Sequence, residues 1–202
     1  MYYFHPLLFN KSFPMITYSI VQTEDELKGI LNLLERNLVT VLSDEEENKE
    51  GFLTVAYSYA DLKRMHDTEP GTIAKENNEV VAYLLALDST YKADFPILQP
   101  LFDLFEKINY GGKLISSWHY LVIGQACIDK NYRGKGILRK IYDVYSKQLR
   151  GKYDFAISEI ATRNLRSMNA HKRIGFIPIH EYTGPDGVLW TVVVLDWTKW
   201  PN

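Results

Sequence analysis

One cysteine is all that the 202-residue chain contains, and a lone thiol, Cys127, can close no internal disulfide. No second thiol or pair of histidines stands at metal-ligand spacing, so zinc sites and redox motifs find no support and no metal is expected. Basic residues are not in surplus either. Lys and Arg number 23 against 25 Asp and Glu, with a net charge of -2 and a pI near 6.2, which argues against nucleic acid as the main partner. No uninterrupted apolar run is long enough to span a bilayer. The opening MYYFHPLLFNKSFPMITYSI is apolar and aromatic but lacks a basic n-region and is broken by two prolines. It reads as an early strand and packing segment rather than a signal peptide or membrane span. Internal repeats, low-complexity tracts and linker compositions are missing too. The expectation is a single domain over residues 1–202, in a reducing cytoplasm, with no membrane contact.

What the chain does have is core-forming material, with 46% hydrophobic residues and 14 tyrosines. Tyrosine in this amount suits a core or a homodimer face equally. Thr23-Glu24-Asp25-Glu26 has the form of a capping box, and Leu27, Ile30, Leu31, Leu34 and Leu38 follow at helical spacing, predicting a helix over residues 23–38. The acidic run Asp44 to Glu50 has no periodicity and reads as a solvated loop. Residues 58–66 suit a short helix. GTIAKENNEVVAYLLALD reads as two strands turned by Asn77-Asn78, which tolerate the positive φ of a tight hairpin. An amphipathic helix is predicted over residues 95–108, stopping at Gly111-Gly112. A central strand buried on both faces is predicted over 118–128. A helix over 136–150, a strand over 153–160, a helix over 164–174 and a terminal strand pair broken at residues 183–187 complete a mixed α/β sheet.

The strongest chemical signal is the strand-to-helix junction holding Arg133-Gly134-Lys135-Gly136. Glycines let the backbone turn with its N–H groups outward, and the following helix adds unpaired donors and the positive end of its dipole. Arg133 and Lys135 add charge, and a pyrophosphate suits such a place. The P-loop pattern does not occur, and the dinucleotide G-x-G-x-x-G fails because Arg139 stands where the third glycine belongs, which disfavours ATP and NAD.

Residues 128–137, IDKNYRGKGI, resemble motif A of the GNAT superfamily of acyl-CoA N-acyltransferases, [QR]-x-x-G-x-[GA]. Arg133 takes the first position and Gly136 the fourth, while Leu138 departs from the small sixth residue. Downstream, Asn164 to Phe176 (NLRSMNAHKRIGF) resembles motif B, N-x-x-[SA] followed by a helix ending in G-F. The two blocks stand in the family's order with a strand between them, and the resemblance covers about residues 70 to 196. It implies a GNAT-like, largely antiparallel central sheet flanked by helices with splayed central strands, and an N-acetyltransferase using acetyl-CoA as co-substrate.

On that resemblance, the pantetheine arm lies in a gap beside the main chain of Ala126, Cys127 and Ile128, as an added strand. The phosphates meet Arg133, Gly134, Lys135, Gly136, Ile137 and Leu138. Cys127 itself reads as a packing residue, having no local basic partner. Asn164, Ser167 and His171 share one helical stripe and form a candidate wall of the site. In the family the Asn position commonly bonds the pantetheine, and the position of His171 is often a Tyr that protonates the leaving thiolate. An imidazole of ordinary pKa near about 6.5 suits that task, and so does simple packing beside the cofactor. Glu159, late in its strand, is the first candidate for the base that relieves the amine of its proton, and His119 the second. Tyr182 reads as a sheet residue. The oxyanion is expected at main-chain N–H groups near Cys127 and Ile128. Two rivals stand beside this reading: a non-catalytic CoA-binding sensor or scaffold, and a transferase of longer acyl groups. The acceptor, an amine, is expected to meet the N-terminal half and residues 89–117. There Tyr91, Phe95, Phe102, Phe105 and Tyr110 suit a greasy pocket, a dimer face or helix core.

Overall fold

The computed structural model describes residues 15–43, 45 and 51–200, with Tyr91 described by its backbone only. The first 14 residues of the opening segment and, apart from Glu45, the acidic run 44–50 lie outside the described residues. Nine strands and five α-helices are described. They are β1 (Thr17–Ile20), α1 (Glu24–Glu35), α2 (Tyr59–Thr68), β2 (Thr72–Glu76), β3 (Glu79–Asp88), α3 (Gln99–Phe105) and the short pair β4 (Asn109–Tyr110) and β5 (Lys113–Leu114). Then follow β6 (Tyr120–Ile128), α4 (Ile137–Leu149), β7 (Phe155–Ala161), α5 (Leu165–Ile174), β8 (Ile177–Thr183) and β9 (Leu189–Asp196). Seven strands form one sheet in the order β1-β2-β3-β6-β7-β9-β8. Every neighbouring pair is antiparallel except β6 with β7. This is the mixed, largely antiparallel sheet expected.

Local chemistry explains most element boundaries. The capping box at the start of α1 is complete, with Thr23 Oγ1 accepting from the Glu26 N–H at 3.2 Å and the Glu26 carboxylate accepting from the Thr23 N–H. The helix ends at Glu35 and not at residue 38, because the chain leaves it to bond a distant segment. The Val39 N–H donates to the Leu53 carbonyl and the Leu53 N–H to that of Asn37. Asn77 and Asn78, at φ of 50° and 70°, make the tight hairpin between β2 and β3. The helix predicted over residues 95–108 is shorter than expected. Pro96 and Pro100 supply no N–H, so a single 3₁₀ turn (Pro96–Leu98) leads into α3.

The sheet separates two cores. One includes Leu27, Ile30, Tyr57, Leu62, Phe105, Val122 and Ile157 beneath α1, α2 and α3, and the other Leu121, Ile141, Tyr145, Ala156 and Ile174 beneath α4 and α5. Side chains alternate between them along β6 until Gly124. Tyr120 and Val122 face the first core, whereas beyond Gly124 it is the odd-numbered Cys127 that does so. The register against β3 shifts at this point, Ala86 pairing with Ile123 and Leu85 with Gln125, so Gly124 is the extra residue of a β-bulge.

At the closed end of the sheet a buried polar cluster ties several elements together. The Tyr153 hydroxyl lies 2.7 Å from Asp88 Oδ2 and 2.9 Å from Glu69 Oε2. The Lys152 ammonium pairs with Glu69, and the His119 ring packs on Tyr153 with Nε2 3.8 Å from Asp88 Oδ2.

Candidate functional site

The parallel pair at the centre of the sheet is brief. β6 and β7 pair only at Tyr120–Phe155, Leu121–Ala156 and Val122–Ile157, yet β6 runs on to Ile128 and β7 to Ala161. Past the fork the Ser158 hydroxyl reaches back to the Ile123 carbonyl at 2.9 Å, and beyond it the strands stand apart. The resulting cleft, about 660 Å³, is lined by Ala126 to Ile128, the turn of Gly134 and Gly136, the start of α4, and α5 from Arg166 to Ile174.

The main chain of β6 offers bonds to this gap at alternate residues. The Asp129 N–H donates to the Val81 carbonyl, and Ile128 pairs opposite Ala82 and Ala126 opposite Leu84. By antiparallel alternation, Cys127 bonds across to β3, while the backbone groups of Ala126 and Ile128 point into the gap. This corrects the expectation for Cys127, whose amide is turned away from the cleft. Its thiol is buried in the first core, and burial pushes its pKa up to about 12, which makes it a packing residue.

The motif A turn has the form an anion needs. Gly134 and Gly136 adopt φ of 76° and 74°, and a Cβ at either would meet nothing within 4 Å. Thr23, Ser58 and Asn164 cap α1, α2 and α5 with their side chains, whereas α4 has no side-chain cap and no acid in its first turn. Its first N–H groups are therefore available to an anion. Arg133 has a different task from that expected. Its Nε donates to the Ile128 carbonyl at 2.8 Å and an Nη to Asn37 Oδ1 at 2.9 Å, so its guanidinium fastens the turn to β6 and to the end of α1. The Lys135 ammonium lies over the Tyr132 ring. Leu138 lines the cleft and packs against the second core.

On the opposite wall, Asn164 Oδ1 accepts from the Ser167 N–H at 3.1 Å, while Nδ2 donates to the Phe52 carbonyl at 3.1 Å. The segment from Gly51 to Val55 thereby becomes a strap across the fork, held by α5 at one end and by Gln125 Nε2, which donates to the Val55 carbonyl, at the other. His171 stands on the same stripe of α5 as Ser167, buried against Tyr142 and Phe176. Burial lowers its pKa, against a smaller opposing effect of the Ser167 carbonyl. That carbonyl, 2.9 Å from Nδ1, can only accept, so the neutral ring carries its proton on Nδ1 and leaves Nε2 bare. His171 in this form has no Nε2 proton to give a thiolate, and of its two expected roles the geometry favours packing beside the cleft.

Glu159 faces the first core by strand alternation, on the side of the fork behind the strap, and the Tyr182 hydroxyl donates to its carboxylate. Burial raises the Glu159 pKa, the Tyr182 hydrogen bond opposes the rise and the charge of Asp186 adds to it. A carboxylate so placed is a better base near neutral pH than an exposed one. His119 is not part of this arrangement: it sits before the start of β6, roughly 20 Å of strand from Ala126, in the cluster at the closed end. Phe95, Phe102 and Phe105 are buried core. Tyr182 is the sheet residue expected, in β8, and its bond to Glu159 was not foreseen, while Tyr57 and the strap were missed from the sequence. An isolated glycine inside an apolar strand, Gly124, was the available signal that something approaches closely there.

The profile of the acetyltransferase (GNAT) family matches residues 36–176, more than half of the chain. The chain belongs to the GNAT family. Searching curated proteins by sequence returned no significant match. Solved structures share the fold at low identity. A chain of the NatC complex bound to Gag peptide and CoA aligns with TM-score 0.62 and 16% identity, over 90% of this chain and 98% of that one. The ribosomal-protein-S18-alanine N-acetyltransferase from Escherichia coli aligns with TM-score 0.57 and 13% identity, over 90% and 94%. The yncA protein of Salmonella typhimurium, solved with its cofactor acetyl-CoA, aligns with TM-score 0.58 and 12% identity, over 93% and 97%. Among the described residues of this GNAT chain, no three His, Cys, Asp or Glu gather to hold a metal ion, and no helix is long and apolar enough to cross a membrane.

Proposed function

We propose that this GNAT protein transfers the acetyl group of acetyl-CoA to an amine by direct attack. The observation that carries the reading is the fork between β6 and β7, which opens the Ala126 and Ile128 main chain to a cleft ending at the uncapped start of α4. Solved relatives of the fold that hold CoA and acetyl-CoA support it.

In this reading the extended pantetheine lies along β6 as an added strand, bonded to the backbone of Ala126 and Ile128. The pyrophosphate rests on the N–H groups from Gly134 to Leu138 at the positive end of α4. Asn164 and Ser167 line the other wall. The amine approaches from the opposite side of the fork, where Glu159 and Tyr182 lie. As the nitrogen–carbon bond forms and the carbon–sulfur bond breaks, the carboxylate of Glu159 takes the amine proton. The departing thiolate, a weak base, takes its proton from solvent. Most of the acceleration comes from holding the two reactants in line.

Calorimetric titration with acetyl-CoA, followed by a thiol-release assay over a panel of amines, tests this directly. Micromolar binding with thiol release is expected. Absence of binding would overturn the proposal.

A further inference from the structure

His171 turns one edge of its ring to its own helix and leaves the other without a partner. Nδ1 lies 2.9 Å from the Ser167 carbonyl, so the neutral ring carries its proton there and Nε2 is a lone-pair acceptor. Burial lowers the pKa and keeps the ring in this neutral form. Nε2 bonds to none of the described residues, yet it is not among the unpaired polar atoms sealed inside the protein, and the ring lines the cleft.

Its neighbours on that wall are engaged. Asn164 accepts from the Ser167 N–H and donates to the Phe52 carbonyl, and Ser167 Oγ stands 3.3 Å from His171 Nδ1. Across the cleft the main chain of β6 is rich in donors. The Ala126 and Ile128 N–H groups point into the gap, whereas the Ile128 carbonyl already accepts from Arg133 Nε. One wall thus offers chiefly donors and the other an acceptor.

A ligand lying between them must show an acceptor to β6 and a donor to α5. A secondary amide does this, because its C=O and N–H point in opposite directions across the trans bond. The pantetheine arm of CoA is built on such amides. We infer that His171 Nε2 accepts the N–H of a pantetheine amide whose carbonyl is held by the main chain of β6. His171 is then a cofactor-binding acceptor and not a proton donor. This deepens, and rests on, the acetyl-transfer reading above.

Calorimetry with two ligands tests it: acetyl-CoA, and the nucleotide of CoA that ends at the diphosphate and lacks the arm. His171→Phe keeps a ring and removes the acceptor. It should weaken acetyl-CoA about tenfold, the effect of one hydrogen bond, and leave the nucleotide unchanged. His171→Gln, whose side-chain oxygen can reach the place of Nε2, should recover most of that affinity. Equal acetyl-CoA affinity in wild type and His171→Phe would overturn the inference. So would a loss shared by both ligands, or one that His171→Gln does not restore, because either marks packing alone. These results leave acetyl transfer standing, whereas wild-type protein that binds no acetyl-CoA would overturn both.

Discussion

The side-chain amide of Asn164 donates to the Phe52 carbonyl at 3.1 Å, joining segments 112 residues apart. The same amide oxygen caps α5, so one residue shapes the wall of the cleft and fastens the strap over the fork. Asn164→Asp keeps the cap and replaces the donor with a carboxylate facing a carbonyl. It should lower stability by about 1–3 kcal/mol and raise hydrogen exchange at residues 51–55 selectively. Uniform exchange would show that the strap is held elsewhere.

Gly136 takes φ of +74° with open space around it, so Gly136→Ala should cost only the backbone strain, about 1–2 kcal/mol. Gly136→Asp should resemble it in Tm but bind acetyl-CoA at least tenfold more weakly, because a carboxylate then stands where the phosphates would rest. Equal affinities in the two variants would place the phosphates elsewhere.

The Tyr182 hydroxyl lowers the Glu159 pKa against burial. Without it, in Tyr182→Phe, burial and Asp186 act unopposed and the carboxyl titrates higher. If Glu159 must be ionised to take the amine proton, the acid limb of the kcat/KM profile should move to higher pH. A limb that stays in place would remove Glu159 as the group responsible.

Burial raises the pKa of Asp88, but hydrogen bonds from the Thr90 N–H, the Tyr153 hydroxyl and the Thr90 hydroxyl outweigh it, and the net shift is downward. A depressed carboxyl stabilises the fold above its unfolded pKa of about 3.9, and this is lost as pH falls through the folded value. Asp88→Asn should therefore unfold at lower denaturant than wild type at pH 7, with the gap narrowing only as the pH falls below about 4. A gap independent of pH would assign the loss to packing alone.

Local chemistry was legible in the sequence where one segment carries its own signal. The Thr23 capping box, the Asn77-Asn78 hairpin and the two motif blocks all fold close to their predicted bounds. The helix over residues 95–108 came out short because Pro96 and Pro100 outweigh the apolar periodicity around them. The remainder depends on partners remote in sequence. Nothing near Leu53 announces that it will bond Asn37 and Val39. No periodicity tells that Arg133 will fasten the turn instead of standing ready for a phosphate. The tautomer of His171 is set by a backbone carbonyl one helical turn away, visible only once α5 has formed.

The central strands behave like a clothes peg. Tyr153, Glu69, Asp88 and Lys152 grip the handle end, while the jaws part past Val122 and Ile157, beside the bulge and just beyond the last bond across, from the Ser158 hydroxyl. Grip and gape are built from separate residues. The bite of the jaws, and with it the bulk of the group carried between them, can therefore be reshaped at Gly124, Ser158 or Leu138 without loosening what keeps the peg in one piece.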